Sequence, residues 1–127
     1  MNKELDYINK KELSEKETLL FYLDIGDLPE VALSKMGLNV SEIPYVNLVI
    51  CIKILNEGWY PNWKDKEETK YYNYFDLESG FSYWTTTYDN TVTTVPSALC
   101  LKDEETAKLA KSILIDLYKE VYEEQSK

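Results

Sequence analysis

The sequence lacks histidine altogether and has little cysteine, glycine or proline. Its 127 residues include no His, two Cys, four Gly and four Pro. Without His, the chain cannot form a Ser-His-Asp triad, a Cys-His pair or a His-bearing metal site. The scarcity of Gly and Pro argues against a long flexible linker, and the length fits one domain. We therefore expect a single, non-enzymatic domain over residues 1–127, with no metal and no other cofactor.

Basic residues are also in short supply. Lys and Arg number 14 against 23 Asp and Glu, which gives a formal net charge of −9. This balance disfavours direct binding to nucleic acid, which needs clustered positive charge, and binding to an anionic membrane. It is typical of a soluble protein and also suits a basic partner.

Long hydrophobic runs are missing as well. No apolar run approaches the roughly twenty residues of a membrane span. The first residues, Met-Asn-Lys-Glu-Leu-Asp, contain no apolar stretch, so we expect no signal peptide and a cytoplasmic location. The two cysteines, Cys51 and Cys100, each lie in an apolar run and are predicted to be reduced core residues.

Helical signals dominate the first part of the chain. A capping box at Ser14 predicts a helix over about residues 14–23, and a second short helix is expected over residues 28–36. Ser41 is placed to cap a third helix through residues 46–55, which is apolar nearly all round and therefore expected to be buried on most sides.

Strand signals follow, and then one more helix. Residues 71–78, 81–88 and 91–95 read as strands, and residues 98–101 continue the last strand or form a fourth. Asp103 is predicted to cap a C-terminal amphipathic helix. The sequence thus predicts an α+β fold: a three- to four-stranded antiparallel meander, with N-terminal helices and the C-terminal helix packed on one face. We place the division between the helical N-terminal part (residues 1–45) and the core (residues 46–125).

The densest feature is a belt of aromatic residues from Trp59 to Tyr88. Three Trp, six Tyr and two Phe fall within these 30 residues. Buried aromatics dominate cores and exposed ones mark interfaces, so the belt is the core of a small sheet, a binding face, or one on each side.

Trp59 and Trp63 lie on one loop around Pro61. They could form a stacking platform for a sugar ring, a base or a proline-rich peptide. Alternatively, Trp59 plugs the end of the preceding helix and Trp63 closes the core, which is the interpretation we favour because a small domain needs large side chains there.

Side chains alternate between the two faces of a strand. We predict Phe75 and Leu77 on the core side, with Tyr72 and Tyr74 on an open face. On the next strand, either Phe81 and Tyr83 or Trp84 and Tyr88 point outward with them. Such an outward cluster indicates an interface, with Tyr72, Tyr74, Trp84 and Tyr88 as the candidate residues; aromatic pairs that only stiffen the sheet are the alternative.

Asp76 and Glu78 are predicted to lie on one strand face. Paired carboxylates can perform acid–base or glycosidase chemistry. The sequence has no cleft signature around them, and we favour a solvated strand edge.

Four motifs mark the second half of the chain: NEGWYPNW at residues 56–63, KYYNYF at 70–75, GFS at 80–82 and LCLKD at 99–103. In this series the chain resembles a family of small uncharacterised proteins from phages and prophages of Bacteroides-like bacteria, over about residues 46–122. It departs from the family at Asn73, where proline is frequent, and at Leu101, where phenylalanine is frequent. The resemblance implies a viral or prophage origin and assigns no activity.

These observations favour a non-enzymatic accessory protein that binds a protein partner, or a second copy of itself, through an aromatic sheet face. Two alternatives stay open. One is an acidic inhibitor that mimics nucleic acid and blocks a host nucleic-acid-binding or defence protein. The other is a glycan-binding module that uses the Trp and Tyr rings.

Overall fold

The computed structural model describes residues 13–78, 80–91 and 95–125, and for Trp84, Glu124 and Gln125 it describes the backbone only. The chain divides into two compact units, Met1–Val40 and Ser41–Lys127. This division lies five residues before the boundary expected at residue 45.

From residue 13 on, where the description of the first unit begins, it contains two short helices, α1 (Glu15–Asp24) and α2 (Pro29–Lys35). The predicted capping box is present: the Ser14 hydroxyl accepts from the Glu17 N–H at 3.1 Å, and the Glu17 carboxylate accepts from the Ser14 N–H at 3.2 Å. Gly37 follows α2 with φ of 81°, the left-handed conformation that ends a helix. Both helices were predicted from these local signals.

The second unit begins with α3 (Pro44–Leu55), which is the buried helix predicted from its apolar run. The capping role expected of Ser41 is wrong, because Ile43 is the N-cap residue and makes no side-chain cap. The Ser41 hydroxyl instead accepts from the Ile43 N–H at 3.0 Å, and the Asn47 side chain bonds both backbone groups of Ser41 at 2.9 and 2.8 Å. Asn47 therefore holds the turn that leads into the helix.

The end of α3 is tied to a distant part of the chain. Asn56 is buried, donates its side-chain N–H to the Cys100 carbonyl at 3.0 Å and accepts from the Lys102 N–H at 3.1 Å. These two bonds place residues 100–102 beside the helix end. Gly58 follows with φ of 91°, as its position after the helix predicted.

The sheet is antiparallel and small. Strands β1 (Lys70–Asp76) and β2 (Ser82–Asp89) pair along their length, and Leu101 forms a single antiparallel bridge to Tyr71 on the other side of β1. The α+β class is thus confirmed, but the order of the pairing segments is β2–β1–Leu101 instead of a meander.

Two strand predictions fall in the segment before Leu101. Of the strand expected over residues 91–95, residues 92–94 lie outside the described part of the chain. The strand expected over residues 98–101 is wrong for its first residues, because Ser97–Leu99 forms a 3-10 helix after Pro96. Proline fixes its own φ and cannot donate to a ladder, so pairing resumes only at Leu101.

Two helices end the chain, α4 (Glu104–Ile113) and α5 (Ile115–Gln125), where one had been predicted. The Asp103 side chain caps α4 by accepting from the Thr106 N–H at 2.7 Å, as expected. The interruption is confined to Leu114, whose N–H still bonds the Ala110 carbonyl at 2.9 Å. The fully buried Leu114 side chain packs in the core at this bend.

The helices contact the face of the sheet that carries Asn73 and Phe75. The Asn73 amide donates to the Ala107 carbonyl of α4 at 3.0 Å, and the Phe75 ring lies 4.9 Å from the Tyr118 ring of α5. Tyr118 is buried, and this burial raises the pKa of its phenol well above the ordinary value. This layer forms the core of the second unit.

Candidate functional site

The two tryptophans of the loop are half-buried, and both indole N–H groups are used inside the protein. Trp59 donates to the Glu68 carboxylate at 3.3 Å, and Trp63 donates to the Ser97 hydroxyl at 2.8 Å. The two indoles therefore tie the loop to Glu68 and to Ser97.

The expectation that Tyr72 lies on an open face is wrong, because its exposed fraction is only 4%. Alternation places Tyr72 on the same face of β1 as Lys70, and Lys70 is completely buried under the preceding loop. The sheet is thus covered on both faces at this end. Leu77, predicted to be in the core, is 40% exposed because β1 ends at Asp76.

The other candidate aromatics are dispersed. Tyr74 is half-buried, with its ring 5.2 Å from that of Tyr72. Tyr88 is 64% exposed at the end of β2, beside Tyr71 at 5.9 Å. The side chain of Trp84 lies outside the described part of the structure. At Trp84 the strand register shifts by one residue, since Tyr74 pairs with Thr85 and Phe75 with Tyr83.

Glu68 anchors the loop between α3 and β1. Its carboxylate accepts from the Trp59 indole at 3.3 Å and from the Asn62 N–H at 2.7 Å, and it lies 3.5 Å from the Lys70 ammonium. Two positions of the loop and the first residue of β1 thus contact one side chain.

Lys70, buried under the loop, also holds it in place. Its ammonium donates to the carbonyls of Asp65 and Glu68, both at 2.9 Å, and of Asn90 at 3.1 Å. All three donors of the ammonium have an acceptor, and the nitrogen also lies 5.0 Å from the centre of the Trp63 ring. A buried cation satisfied in this way fixes the loop to the start of β1 and to the end of β2.

A groove opens along the loop held by this network. It has a volume of about 220 Å³ and mainly apolar walls. We call it the tryptophan groove; its walls come from α3 and its C-cap (Val49, Lys53, Asn56), from the loop (Gly58, Trp59, Tyr60, Pro61) and from the segment after Pro96 (Ser97, Ala98, Cys100). Tyr60 stands at its edge with 66% of its surface exposed. Lys53 is exposed and is the charged residue of the lining.

A second apolar pocket, of about 230 Å³, lies around the exposed end of β1. We call it the tyrosine pocket; it is lined by Tyr45, Asn73, Tyr74, Phe75, Leu77, Val95, Pro96, Leu99, Val121 and Tyr122. Partial burial raises the pKa of the Tyr122 phenol, and the nearby Tyr45 adds to this shift.

The carboxylates considered for catalysis are at the surface. Asp76 and Glu78 are both exposed, and Asp76 accepts from the Glu78 N–H at 2.9 Å, so its role there is to hold the turn after β1. Within residues 13–78, 80–91 and 95–125, no group of three or more potential ligands is arranged to hold a metal ion.

The chain matches no protein-family model, and comparisons with curated proteins and with solved structures find no significant match. In the described ranges, no helix has both the length and the apolar character needed to cross a membrane.

Sequence reasoning found Trp59 and Trp63 but missed the residues that give the site its form. Tyr45, Val49 and Lys53 recur every four residues, a spacing that places them on one helix face and was visible in the sequence. The roles of Glu68 and Lys70 had no comparable signal, because they depend on how the loop folds back on itself.

Proposed function

We propose that this chain is a non-enzymatic binding protein that engages a protein partner through the tryptophan groove, as an accessory factor of a phage or prophage. The supporting observation is a solvent-open aromatic groove whose loop wall is anchored by Glu68 and Lys70. The phage or prophage setting rests on the motif resemblance alone.

The fixed loop favours recognition over a purely structural role for the groove. Binding loses less conformational entropy when the aromatic contact residues are already held in place. Trp59 is fixed by its bond to Glu68, while the adjacent Tyr60 ring is left largely exposed. Tyrosine and tryptophan are two of the residue types enriched at binding hot spots.

The dimensions of the groove favour a side chain as its occupant. Sites for small molecules and cofactors usually enclose about 300–1,000 Å³. The tryptophan groove, at about 220 Å³, is smaller than this range and matches one or two inserted side chains.

The aromatic sheet face expected from the sequence does not enter this proposal, because Tyr72 is buried. The glycan alternative loses support as well. The Lys70 ammonium lies over the Trp63 ring, and the most exposed rings, Tyr60 and Tyr88, belong to different elements. A sugar platform requires open rings that lie side by side.

The nucleic-acid-mimic alternative needs a continuous row of unpaired carboxylates. On α4 and α5, lysines interrupt the acidic residues: Lys108 pairs with Glu104 at 3.0 Å, and Lys119 lies 4.0 Å from Glu123. Such pairs reduce the resemblance to a phosphate backbone.

The test is a quantitative capture experiment with a lysate of a Bacteroides-type bacterium. Wild-type protein, Tyr60→Ala and Tyr88→Ala are immobilised at equal density and the retained proteins are compared by mass spectrometry. Tyr88→Ala is a matched control, since its ring is as exposed as that of Tyr60. We expect a partner retained by wild type and Tyr88→Ala and reduced about 30-fold by Tyr60→Ala, the loss of a hot-spot residue. A partner equally retained by both variants, or no partner, would contradict the proposal.

A further inference from the structure

The tryptophan groove and the tyrosine pocket are neighbours. The segment from Pro96 to Leu99 separates them: Ser97 and Ala98 line the groove, and Pro96 and Leu99 line the pocket. The Trp63 indole, bonded to the Ser97 hydroxyl at 2.8 Å, holds this segment in place as a fixed ridge.

One face of α3 runs along both cavities. Tyr45 lines the tyrosine pocket, and Val49 and Lys53, one and two helical turns later, line the tryptophan groove. Eight residues of helix at 1.5 Å each separate Tyr45 from Lys53, so the combined surface extends for about 12 Å. Lys53 lies at the end that is farther from the tyrosine pocket.

We propose that the two cavities form one binding surface for an extended, acidic peptide segment of the partner. Two apolar side chains of the segment occupy the two cavities, and a carboxylate beside the first of them binds Lys53. This inference rests on the proposed function and specifies the chemistry of its ligand.

The length of the surface and the ridge favour an extended chain over a helix. An extended or polyproline-type chain advances about 3.1–3.4 Å per residue, so about four residues cover 12 Å. Such a chain can place one side chain on each side of the Pro96–Leu99 ridge. A helix is about 10 Å wide and needs an uninterrupted groove, which this ridge divides.

The positive charge of Lys53 is the reason for proposing an acidic residue in the peptide. Lys53 is exposed, and within the described part of the chain it has no ion-pair partner. An exposed lysine that lines an apolar groove can keep its ammonium in water beside the apolar wall, which suits a carboxylate carried next to an apolar side chain. The net charge of −9 opposes an acidic ligand only at long range, because physiological salt screens charges beyond about 8 Å.

The probe is an mRNA-displayed library of random dodecapeptides, selected against the full immobilised chain. We expect enriched peptides to share two apolar or proline positions three or four residues apart, with an Asp or Glu flanking one of them. Lys53→Glu is expected to weaken these peptides about tenfold or more, since it removes a charge-assisted bond. Lys108→Glu makes the same charge change at an exposed site on α4 and is the control.

A charge-reversed peptide tests the contact with Lys53, and the variant Leu77→Ala tests the tyrosine pocket. Replacing the acidic residue of a selected peptide by Lys should restore binding to Lys53→Glu while weakening binding to wild type. Leu77→Ala, at the exposed rim of the tyrosine pocket, should weaken only peptides that carry the second apolar anchor.

A consensus without an acid, equal effects of Lys53→Glu and Lys108→Glu, or peptides with one anchor would overturn the two-cavity inference. If the selected peptides gave one of these results but still needed Tyr60 for binding, the proposed function would stand and only the two-cavity inference would fall. Failure to select any peptide would overturn the inference, and the lysate capture would decide the proposed function separately.

Discussion

Replacement of Lys70 by methionine tests whether the buried ammonium organises the aromatic loop. Methionine keeps most of the side chain's length and volume. The change removes the donor to the carbonyls of Asp65, Glu68 and Asn90, and it removes the cation that lies 3.5 Å from the Glu68 carboxylate. The protein thus loses the charge but retains the groups that were arranged around it.

The size of the effect follows from these contacts. A hydrogen bond from a charged donor contributes about 1.5–3 kcal/mol, so three of them contribute roughly 4.5–9 kcal/mol before other terms. Against this loss, the methionine variant avoids the cost of moving an ammonium from water into the protein interior, which is several kcal/mol. Because the Glu68 side chain is 24% exposed, water relieves part of its unpaired charge. We expect the free energy of unfolding to fall by about 3 kcal/mol.

Urea unfolding followed by tryptophan fluorescence measures this change. With a slope of about 2 kcal/mol per molar urea, the midpoint should fall by about 1.5 M. Lys53→Met makes the same substitution at an exposed site and should change stability by no more than about 0.5 kcal/mol. A Lys70→Met protein as stable as Lys53→Met would refute the reasoning, because it would mean that the loop does not depend on its buried cation.

Three further predictions concern the core. Asn73→Ala should lower the free energy of unfolding by about 2–3 kcal/mol in the same urea assay, because it leaves the Thr86 hydroxyl, now 2.6 Å from the Asn73 amide oxygen, without that acceptor; a change below about 0.5 kcal/mol would contradict this. Burial raises the pKa of the Tyr118 phenol, so above about pH 10 only the unfolded chain ionises there and stability should fall as pH rises. Tyr118→Phe should make this fall less steep in urea titrations between pH 9 and pH 11, and an unchanged slope would argue against it. Cys51 and Cys100 are buried and should react with a thiol reagent such as DTNB only as the chain unfolds, so fast labelling of the native protein would count against this packing.

Much of the helical structure could be predicted because its signals are local. The capping box at Ser14, the cap at Asp103 and the glycines after α2 and α3 each act within one turn of the chain, and the structure contains all of them. The cap expected of Ser41 failed for a non-local reason. The Asn47 side chain, six residues later, holds both backbone groups of Ser41 and fixes the turn before the helix begins.

The faces of the sheet show what local signals do not reveal. Alternation correctly separates Phe75 from Tyr72, but it does not say which face is covered. That outcome depends on the loop that Lys70 and Glu68 fold over the start of β1. The register shift at Trp84 adds a second non-local effect, since a one-residue bulge moves every later side chain of β2 relative to β1.

The net charge of the chain and the local charge at the candidate site have opposite signs. A net charge of −9 favours a basic partner when the chain is considered as a whole. At the tryptophan groove, the charged residue of the lining is the cation Lys53. Since a carboxylate bound there lies within hydrogen-bonding distance of one ammonium and is screened from most of the distant acids, the local cation dominates its affinity. The acidic surface then governs the rate of encounter, so added salt should speed the association of an acidic peptide even while it weakens the contact with Lys53. Stopped-flow measurement of the association rate at two salt concentrations would reveal this opposition, and a rate that falls as salt rises would indicate that long-range attraction controls the encounter.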